Sequence, residues 1–221
     1  MSWKNTLAGL ASSVLDVLAP RRCAACEALC PLPSGYCSSC GDPELLLDVA
    51  CHIVGVPVFA GARYADPVAS AIQRFKYGQA PELGRTLASL SVRGIDLLGI
   101  EASDVWVPVP LHPLRLAERG YNQSALLARE LSRLAHGPVD ARRLSRVRHT
   151  EQQAKRDRRS RGQNVANAFA ACARAKLRRV VLVDDVVTTG ATLGACIAAL
   201  RAGGDEVVGC VAVAYAGARS P

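Results

Sequence analysis

The sequence predicts an α/β domain in which helices flank a parallel sheet, preceded by a small cysteine-rich module. Half of the residues are hydrophobic but only 5% are aromatic, a composition that suits a helix-covered sheet rich in Val, Leu and Ala. Strand-like and helix-like segments alternate along the chain. The β-branched run Val180 to Val183 is typical of a strand buried on both faces. At 221 residues the chain is long enough for one substantial core and a minor module.

Residues 1–20 predict an amphipathic helix that ends at Pro20. Asp16 interrupts the apolar stretch, which argues against a signal peptide. We interpret the segment as a docking helix, and therefore a candidate oligomer interface, of a cytoplasmic protein. No apolar run in the chain reaches the roughly 18 residues that a transmembrane helix needs. The apolar positions that recur at helical spacing are Trp3, Leu7, Leu10, Val14 and Leu18.

Residues 21–52 predict a zinc-ribbon-like module. Two Cys-x-x-Cys turns, separated by ten residues, can each aim two thiolates at one ion and so complete a tetrahedral site for structural Zn²⁺. A disulfide framework would suit an exported chain, but nothing in the sequence directs export. Cys30 and Cys51 stay open as substitute ligands. The four expected ligands are Cys23, Cys26, Cys37 and Cys40.

Three later cysteines, Cys172, Cys196 and Cys210, stand alone in apolar surroundings. We expect them to be inert thiols of the core.

Residues 53–221 predict the α/β domain. The expected helices start at Asp66-Pro67, at Pro81-Glu82, near Tyr121 and at Thr192. The stretch from His112 to Gly120 is expected to be a loop. The prolines after Val105 place that strand at an edge of the sheet or mark its exit into a loop. The expected strands cover 53–64, 105–110, 139–145, 180–183 and the stretch from 207.

The segment 180–192 carries the most chemistry. Asp184 and Asp185 follow the buried strand, and a Thr/Gly turn then opens a helix. Backbone N–H groups of the turn can converge on a phosphate, the helix N-terminus adds positive potential, and Gly190 allows close approach. The carboxylates can accept hydrogen bonds from vicinal ribose hydroxyls or hold a divalent cation. The segment therefore predicts a sugar-phosphate site.

Two other nucleotide sites are disfavoured. An acidic strand end also occurs in ATPases, but the chain has no G-x-x-x-x-G-K-[ST] loop. No G-x-G-x-x-G follows a strand, so a dinucleotide-binding fold is not indicated. A plain buried strand with a capping Thr remains as a structural alternative.

Residues 142–161 contain nine Lys or Arg against two acidic residues, and so carry +7 of the formal net charge of +8. A solvated helix face is one interpretation. A surface for single-stranded DNA is another, although the segment lacks aromatic residues on which bases stack. A basic loop that closes over an anionic substrate is the third.

Segment 180–192 resembles the binding motif of type I phosphoribosyltransferases over thirteen positions. From Cys23 onward the chain resembles the ComF family of phosphoribosyltransferase-like proteins, named for competence for DNA uptake. Matching patterns are Phe75-Lys-Tyr-Gly78, the strand at 107–110 and Arg119-Gly-Tyr-Asn-Gln123. A later pattern is matched by Arg148, Thr150, Gln153, Arg161, Asn164 and Phe169.

The resemblance implies a type I phosphoribosyltransferase-like fold and binding of 5-phosphoribosyl 1-diphosphate with Mg²⁺. It implies transfer of the phosphoribosyl group to an acceptor that the sequence does not identify. A non-catalytic accessory protein that binds single-stranded nucleic acid is the alternative. Asp184, Asp185 and Arg119 are the expected catalytic residues. The expected substrate-binding residues are Lys76, Asn122, Gln123, Arg148, Val183, Val186, Val187, Thr188, Thr189, Gly190, Ala191 and Thr192.

Overall fold

A computed structural model describes residues 21–30, 35–147, 168–172 and 178–217. The expected helix at 1–20 and most of the basic stretch, including Arg148, lie outside these ranges. Within them, no helix combines the length and the apolar character that crossing a bilayer would require.

The described residues form seven strands: β1 Cys51–Ile53, β2 Val56–Arg63, β3 Val105–Pro108, β4 Leu144–Arg146, β5 Phe169–Ala171, β6 Arg179–Val187 and β7 Glu206–Tyr215. The centre of the fold is a five-stranded sheet with the order β1-β2-β7-β6-β3. β1 pairs antiparallel with β2, and the other three pairs are parallel. β4 and β5 form a separate two-stranded antiparallel ribbon.

The described residues form six helices: α1 Val68–Tyr77, α2 Leu83–Ser89, α3 Arg93–Leu97, α4 Pro113–Arg119, α5 Gln123–Ala135 and α6 Ala191–Ala202. Val181 and Val183 of β6 belong to the core on the face that α1, α2 and α5 cover. Val180 and Leu182 belong to the opposite core, which α6 covers. A strand that alternates between two buried faces is the expected environment of a continuous apolar run. The predicted class, a largely parallel sheet flanked by helices, is confirmed.

The cysteine-rich region packs on the first of these cores. Cys23, Ala24, Cys30 and Tyr36 are buried with residues of α1 and α2. Further along the chain, the backbone at Glu44, Leu46 and Ala50 hydrogen-bonds to β2. The boundaries of the three predicted regions, at residues 20 and 52, stay predictions.

The predicted strand at 53–64 is a hairpin. β1 and β2 are joined by Val54 and Gly55, both with positive φ, and Ile53 pairs with Val56. Two-residue hairpin loops favour this backbone because its twist matches that of the flanking strands. The sequence indicates this turn only weakly, because Val is an unusual residue at positive φ.

The predicted loop at 112–120 is wrong, because α4 occupies most of it. The Nδ1 atom of His112 accepts a hydrogen bond from the backbone N–H of Leu114 at 3.2 Å, and Pro113 follows at the first helical position. Gly120, with φ of 78°, ends the helix in the left-handed conformation. Side-chain capping, an initial Pro and a terminal Gly together specify a short helix.

One strand prediction differs in detail, and another agrees with the structure. β6 continues to Val187, so Asp184 and Asp185 lie within the strand rather than after it, and β7 supplies the pairing partners that extend it. β3 is the edge strand of the described sheet, as the prolines predicted. α3 was not predicted from the sequence.

Candidate functional site

The acidic pair lies near the carboxyl end of β6, an interior strand of the sheet between β7 and β3. Asp184 pairs with Ala212 of β7, and the strand ends three residues later at Val187. Thr188, Thr189 and Gly190 then form a turn that enters α6. In a parallel sheet, ligands bind at the carboxyl ends of the strands, so the carboxylates and the turn occupy the expected edge.

Asp184 is largely enclosed. Its Oδ1 atom accepts hydrogen bonds from the Ser124 hydroxyl at 3.1 Å and from the backbone N–H of Asp185 at 2.9 Å. Burial, followed by the negative charge of Asp185, raises the pKa of Asp184 to about 7. Asp184 therefore exchanges its proton near neutral pH, which is unusual for an aspartate.

Asp185 has a positive partner from another element. The Nζ atom of Lys76, in the last turn of α1, lies 2.7 Å from Asp185 Oδ1. Both side chains are mostly enclosed, with 19% and 13% of their surface exposed. The structure thus brings together two predicted site residues that are 109 positions apart in the sequence.

Arg119 contacts side chains that neighbour two site residues in sequence. Its guanidinium lies 4.7 Å from the ring centre of Tyr77, the residue after Lys76, and donates a hydrogen bond to Gln123 Oε1 at 3.1 Å. Gln123 is followed by Ser124, which contacts Asp184. A direct role of Arg119 at the site stays a prediction.

The two predicted amides have different environments. Asn122 caps α5, since its Oδ1 accepts from the backbone N–H of Ser124 and its Nδ2 donates to the carbonyl of Val109. Its side chain thereby fixes the start of α5 against the end of β3. Gln123 is buried, and its Nε2 has no hydrogen-bond partner among the described residues. A ligand role for either amide stays a prediction.

The turn has the backbone that the phosphate interpretation requires at Gly190. This residue has φ of 75°, and a Cβ atom built on it would lie 2.5 Å from Ile53 Cδ1. Thr188 and Thr189 are exposed, and Ala191 N donates to Thr189 Oγ1 at 3.5 Å. Glycine therefore satisfies both the conformation and the space at this position. The remaining predicted residues of the segment, Val183, Val186, Val187 and Thr192, support the turn from β6 and α6.

Residues 142–147, the described part of the basic stretch, do not all lie at the surface. Arg143 is buried, and its Nε lies 2.5 Å from Asp205 Oδ2 while its Nη1 donates to the carbonyl of Cys172. Including Arg143 in a DNA-binding surface was therefore wrong, because this charge is paired in the interior. Arg142 is exposed.

Arg146 stands apart from its basic neighbours. Its guanidinium lies 5.4 Å from the ring centre of Phe169. Burial, and then the positive charge of Arg115, lowers the pKa of Arg146, while the negative charge of Asp184 opposes this. Arg146 is thus a half-buried cation on which the charge of Asp184 acts.

The cysteine turns form a second site. The sulfur atoms of the four predicted ligands all lie within 4.8 Å of one another, and Cys26 Sγ and Cys37 Sγ are 3.6 Å apart. Burial acts to raise the pKa of Cys23, but backbone N–H groups of Cys26, Cys37 and Ala25 donate to its sulfur and bring the pKa to about 6. Four convergent sulfurs, one of them favouring the thiolate, could hold a metal ion such as zinc.

The other cysteines lie outside this cluster. Cys30 is buried, and Cys51 lies in β1 beside Tyr215; neither belongs to the cluster found among the described residues. Cys196 and Cys210 are buried as expected. Cys172 is exposed, so its prediction as a core thiol was wrong; it follows the short edge strand β5, where its backbone N–H bonds to Arg143.

Comparison with known proteins decides the relationship. Residues 119–221 match the phosphoribosyl transferase domain family. A DNA utilization protein, YhgH, from Escherichia coli K12 is 31% identical over 181 residues, covering 77% of this chain and 80% of the relative. The chain belongs to the ComF family.

Other ComF relatives agree. Competence protein F of Haemophilus influenzae is 36% identical over 152 residues, which is 66% of each chain. Competence protein ComFC of Bacillus subtilis is 32% identical over 130 residues, covering 59% of this chain and 52% of the relative. The names of these relatives associate them with competence and DNA utilization.

Sequence reasoning missed three residues near the site. Ser124 holds Asp184, Ile53 faces Gly190, and Arg146 is an internal cation. A sequence signal existed for Ser124, because it directly follows the Arg119–Gln123 segment on the same first turn. Ile53 and Arg146 come from distant elements, and only the fold brings them near.

Proposed function

We propose that the protein binds 5-phosphoribosyl 1-diphosphate together with Mg²⁺ and transfers the phosphoribosyl group to an acceptor with loss of diphosphate. The observation that carries this proposal is the position of Asp184 and Asp185 near the carboxyl end of β6, shortly before the glycine turn that opens α6. Carboxylates suit the ribose hydroxyls, and the turn suits the 5-phosphate. The two groups recognise opposite ends of one phosphorylated pentose.

The turn and α6 would bind the 5-phosphate through backbone N–H groups, with help from the positive potential at the helix N-terminus. Thr188 and Thr189 are exposed and can donate hydroxyl hydrogen bonds to the same oxygens. Gly190 keeps a Cβ atom out of this space.

Asp184 and Asp185 offer the oxygen ligands that Mg²⁺ prefers, so the donor set fits the ion. When bound, Mg²⁺ would neutralise charge on the leaving diphosphate. The carboxylates themselves would orient the ribose by accepting hydrogen bonds from its hydroxyls. Asp184 does this best above pH 7, where it is ionised.

Lys76 has a double role in this proposal. Its ammonium group forms an ion pair with Asp185. A bound diphosphate offers Lys76 another anionic partner, while the ribose or the cation takes over Asp185. Such an exchange keeps both charges compensated before and after binding, which limits the cost of leaving either one unpaired. Arg119 would donate its planar guanidinium to the diphosphate oxygens.

Titration calorimetry tests the proposal with 5-phosphoribosyl diphosphate and Mg²⁺, comparing the parent protein with Asp184→Asn/Asp185→Asn. We expect the double variant to lose at least about 100-fold in affinity, because it loses two charge-assisted contacts. Asp96→Asn, at an exposed carboxylate on α3, is the matched control and should bind as the parent does. Equal affinity of the parent and the double variant would refute the proposal.

We further propose that the four-cysteine cluster holds structural Zn²⁺ and that the protein is cytoplasmic. Four sulfur ligands leave no open coordination position for catalysis. Free thiols that bind metal are typical of a reducing compartment. Metal analysis of protein purified under reducing conditions should give one zinc per chain, reduced to none in Cys37→Ser/Cys40→Ser.

A second candidate function is binding of single-stranded DNA without turnover. The names of the relatives favour it, as does the charge of residues 142–161. It predicts affinity that falls steeply with added salt and falls again when Arg156, Arg158 and Arg159 are neutralised together. Because Arg143 is buried, Arg143→Gln should instead destabilise the fold. Absent or salt-insensitive DNA binding would eliminate this candidate.

A further inference from the structure

We propose that Arg74 is a positioning residue that couples metal binding in the cysteine cluster to the acidic pair, through the last turn of α1. The inference uses the proposed ligand for one of its two tests. The other test needs only the metal, so the two proposals can fail separately.

Arg74 fixes the first cysteine turn to α1. Its Nη1 atom donates to the carbonyls of Cys23 at 3.0 Å and Ala24 at 2.6 Å. Its Nη2 atom lies 2.5 Å from Glu27 Oε1, which follows the turn. One guanidinium therefore contacts three positions along the segment that carries Cys23 and Cys26. A planar fork with several donors can make all these contacts at once, which a lysine cannot.

The same turn of α1 reaches the acidic pair. Lys76, two residues after Arg74, lies 2.7 Å from Asp185 Oδ1. Phe75, between them, is fully buried, and its carbonyl accepts a hydrogen bond from the Tyr121 hydroxyl at 2.5 Å. Phe75 therefore anchors the short segment whose two charged ends contact the two sites. A shift of the cysteine turn that moved Arg74 would reorient this last turn and the ammonium group of Lys76.

Coupling of this kind is reciprocal. If the metal orders the cysteine turn and Arg74 transmits that order, then the metal strengthens ligand binding by the same factor by which the ligand strengthens metal binding. Typical couplings between two sites of one protein are about 5- to 150-fold. A second route exists, since Cys23, Ala24 and Tyr36 also belong to the main core. The experiment must distinguish the guanidinium contact from this packing.

The first test follows amide hydrogen exchange in peptides that cover 179–192, with zinc bound and after removal by a chelator. In the parent protein, metal removal should accelerate exchange there. In Arg74→Met, which keeps an apolar stem, the same peptides should exchange at one rate in both metal states. Arg74→Lys should not restore the difference, because it lacks the fork. A metal effect of equal size in Arg74→Met would show that core packing carries the coupling, and would overturn the proposal.

The second test measures affinity for 5-phosphoribosyl diphosphate with Mg²⁺ in the zinc-bound and zinc-free states. We expect about 10-fold weakening on metal removal in the parent, and less than about twofold in Arg74→Met. The control is Arg93→Met, which breaks a similar bond from Arg93 Nε to the Leu47 carbonyl at 2.9 Å, away from the cysteine turns. This control should retain the parent's metal effect; losing it would refute a specific role for Arg74.

The outcomes separate the two proposals. If the parent does not bind the phosphoribosyl ligand but shows metal-dependent exchange that Arg74→Met abolishes, the proposed function fails and the coupling stands. If the ligand binds equally with and without zinc in the parent, the function stands and the coupling fails.

Discussion

The cysteine cluster and the acidic pair both bring together groups that can carry negative charge, but they differ in how the chain contacts those groups. At the acidic pair, Lys76 supplies a cation to Asp185, and Ser124 supplies a hydrogen bond to Asp184. In the cysteine cluster, contacts among the described residues include a backbone N–H group that donates to Cys23 Sγ and the approach of the sulfurs to one another. The acidic pair is thus compensated by side chains of the folded chain, whereas the cluster gathers four sulfur ligands that a cation could bind.

This difference indicates what each site requires in order to be formed. Four thiolates within 4.8 Å of one another would repel, and a metal ion that bound them would convert that repulsion into folding free energy. At the acidic pair, Lys76 and Ser124 of α5 hold the two carboxylates through contacts within the chain. We therefore expect the cluster to depend strongly on its ion, and the acidic pair to be ready for a ligand that exchanges with Lys76.

Removal of metal by a strong chelator should have the largest effect. We expect residues 21–41 to lose at least about 3 kcal/mol of local stability, since structural zinc contributes about 10 kcal/mol or more in small domains. Thiol labelling measures this: the four cluster cysteines should become reactive, while Cys196 and Cys210 stay protected in the core. Labelling at equal rates before and after chelation would show that the cluster forms without an ion.

We expect the next largest effect from a glycine substitution in the turn after the acidic pair, compared with a glycine substitution in the cysteine region. Gly190→Ala should lower the free energy of unfolding by about 2–3 kcal/mol, from left-handed strain of about 1–2 kcal/mol and displacement of Ile53. Gly41, at the end of the cysteine region, has φ of 76° and no atom within 4 Å of an added Cβ, so Gly41→Ala should cost only the strain. Urea unfolding checks both. Equal losses would mean that Ile53 moves aside freely.

Most of the fold follows from the sequence because local signals agree with the packing. The apolar run at Val180 to Val183 is buried on both faces, and the prolines of β3 mark an edge. The predictions of secondary structure were wrong where helix caps or turn residues, rather than the pattern of apolar residues, determine the local backbone. α4 depends on a His cap and a terminal Gly, and the β1–β2 hairpin has Val rather than Asn in its turn. β6 is longer than its apolar run because β7 pairs with it beyond Val183.

The site was predictable where its residues are adjacent in sequence and not where they come from distant elements. Asp184, Asp185 and Gly190 stand together in one segment. The ion pair of Asp185 with Lys76 was not predicted, although both residues were expected at the site, because sequence spacing carries no distance between α1 and β6. Ser124 was overlooked because a serine on a first helical turn ordinarily indicates only capping.

Asp184→Asn should stabilise the protein at neutral and alkaline pH. Burial raises the pKa of Asp184 from 3.8 to about 7, so the folded state binds the proton more tightly than the unfolded state does. Wild-type stability therefore falls as pH rises from about 4 to 7, and the penalty persists above pH 7. The pKa shift limits the stabilisation by Asp184→Asn to about 4 kcal/mol. We expect a stabilisation of about 2 kcal/mol, because the acidic pair relaxes when Asp184 ionises.

Urea unfolding of both proteins at several pH values provides the measurement. The variant should be more stable at pH 8 and nearly equal to the parent at pH 4. A difference that does not change with pH would mean that Asp184 titrates normally, and that the acidic pair is less enclosed than the contacts with Ser124 and Asp185 N imply. This result would weaken the contrast with the cysteine cluster.

Ser124→Ala should have the smallest effect, and it tests whether the chain itself stabilises the charged pair. The Ser124 hydroxyl donates to Asp184 at 3.1 Å, so its loss should cost about 1 kcal/mol when Asp184 is ionised and less when it is protonated. Ser132 is the matched control, since it lies on the same helix, is also buried and donates to the Arg129 carbonyl. Ser132→Ala should therefore show a loss that does not vary with pH. If Ser124→Ala is equally insensitive to pH between 5 and 8, the hydroxyl does not compensate Asp184, and Lys76 becomes the main internal counter-charge of the acidic pair.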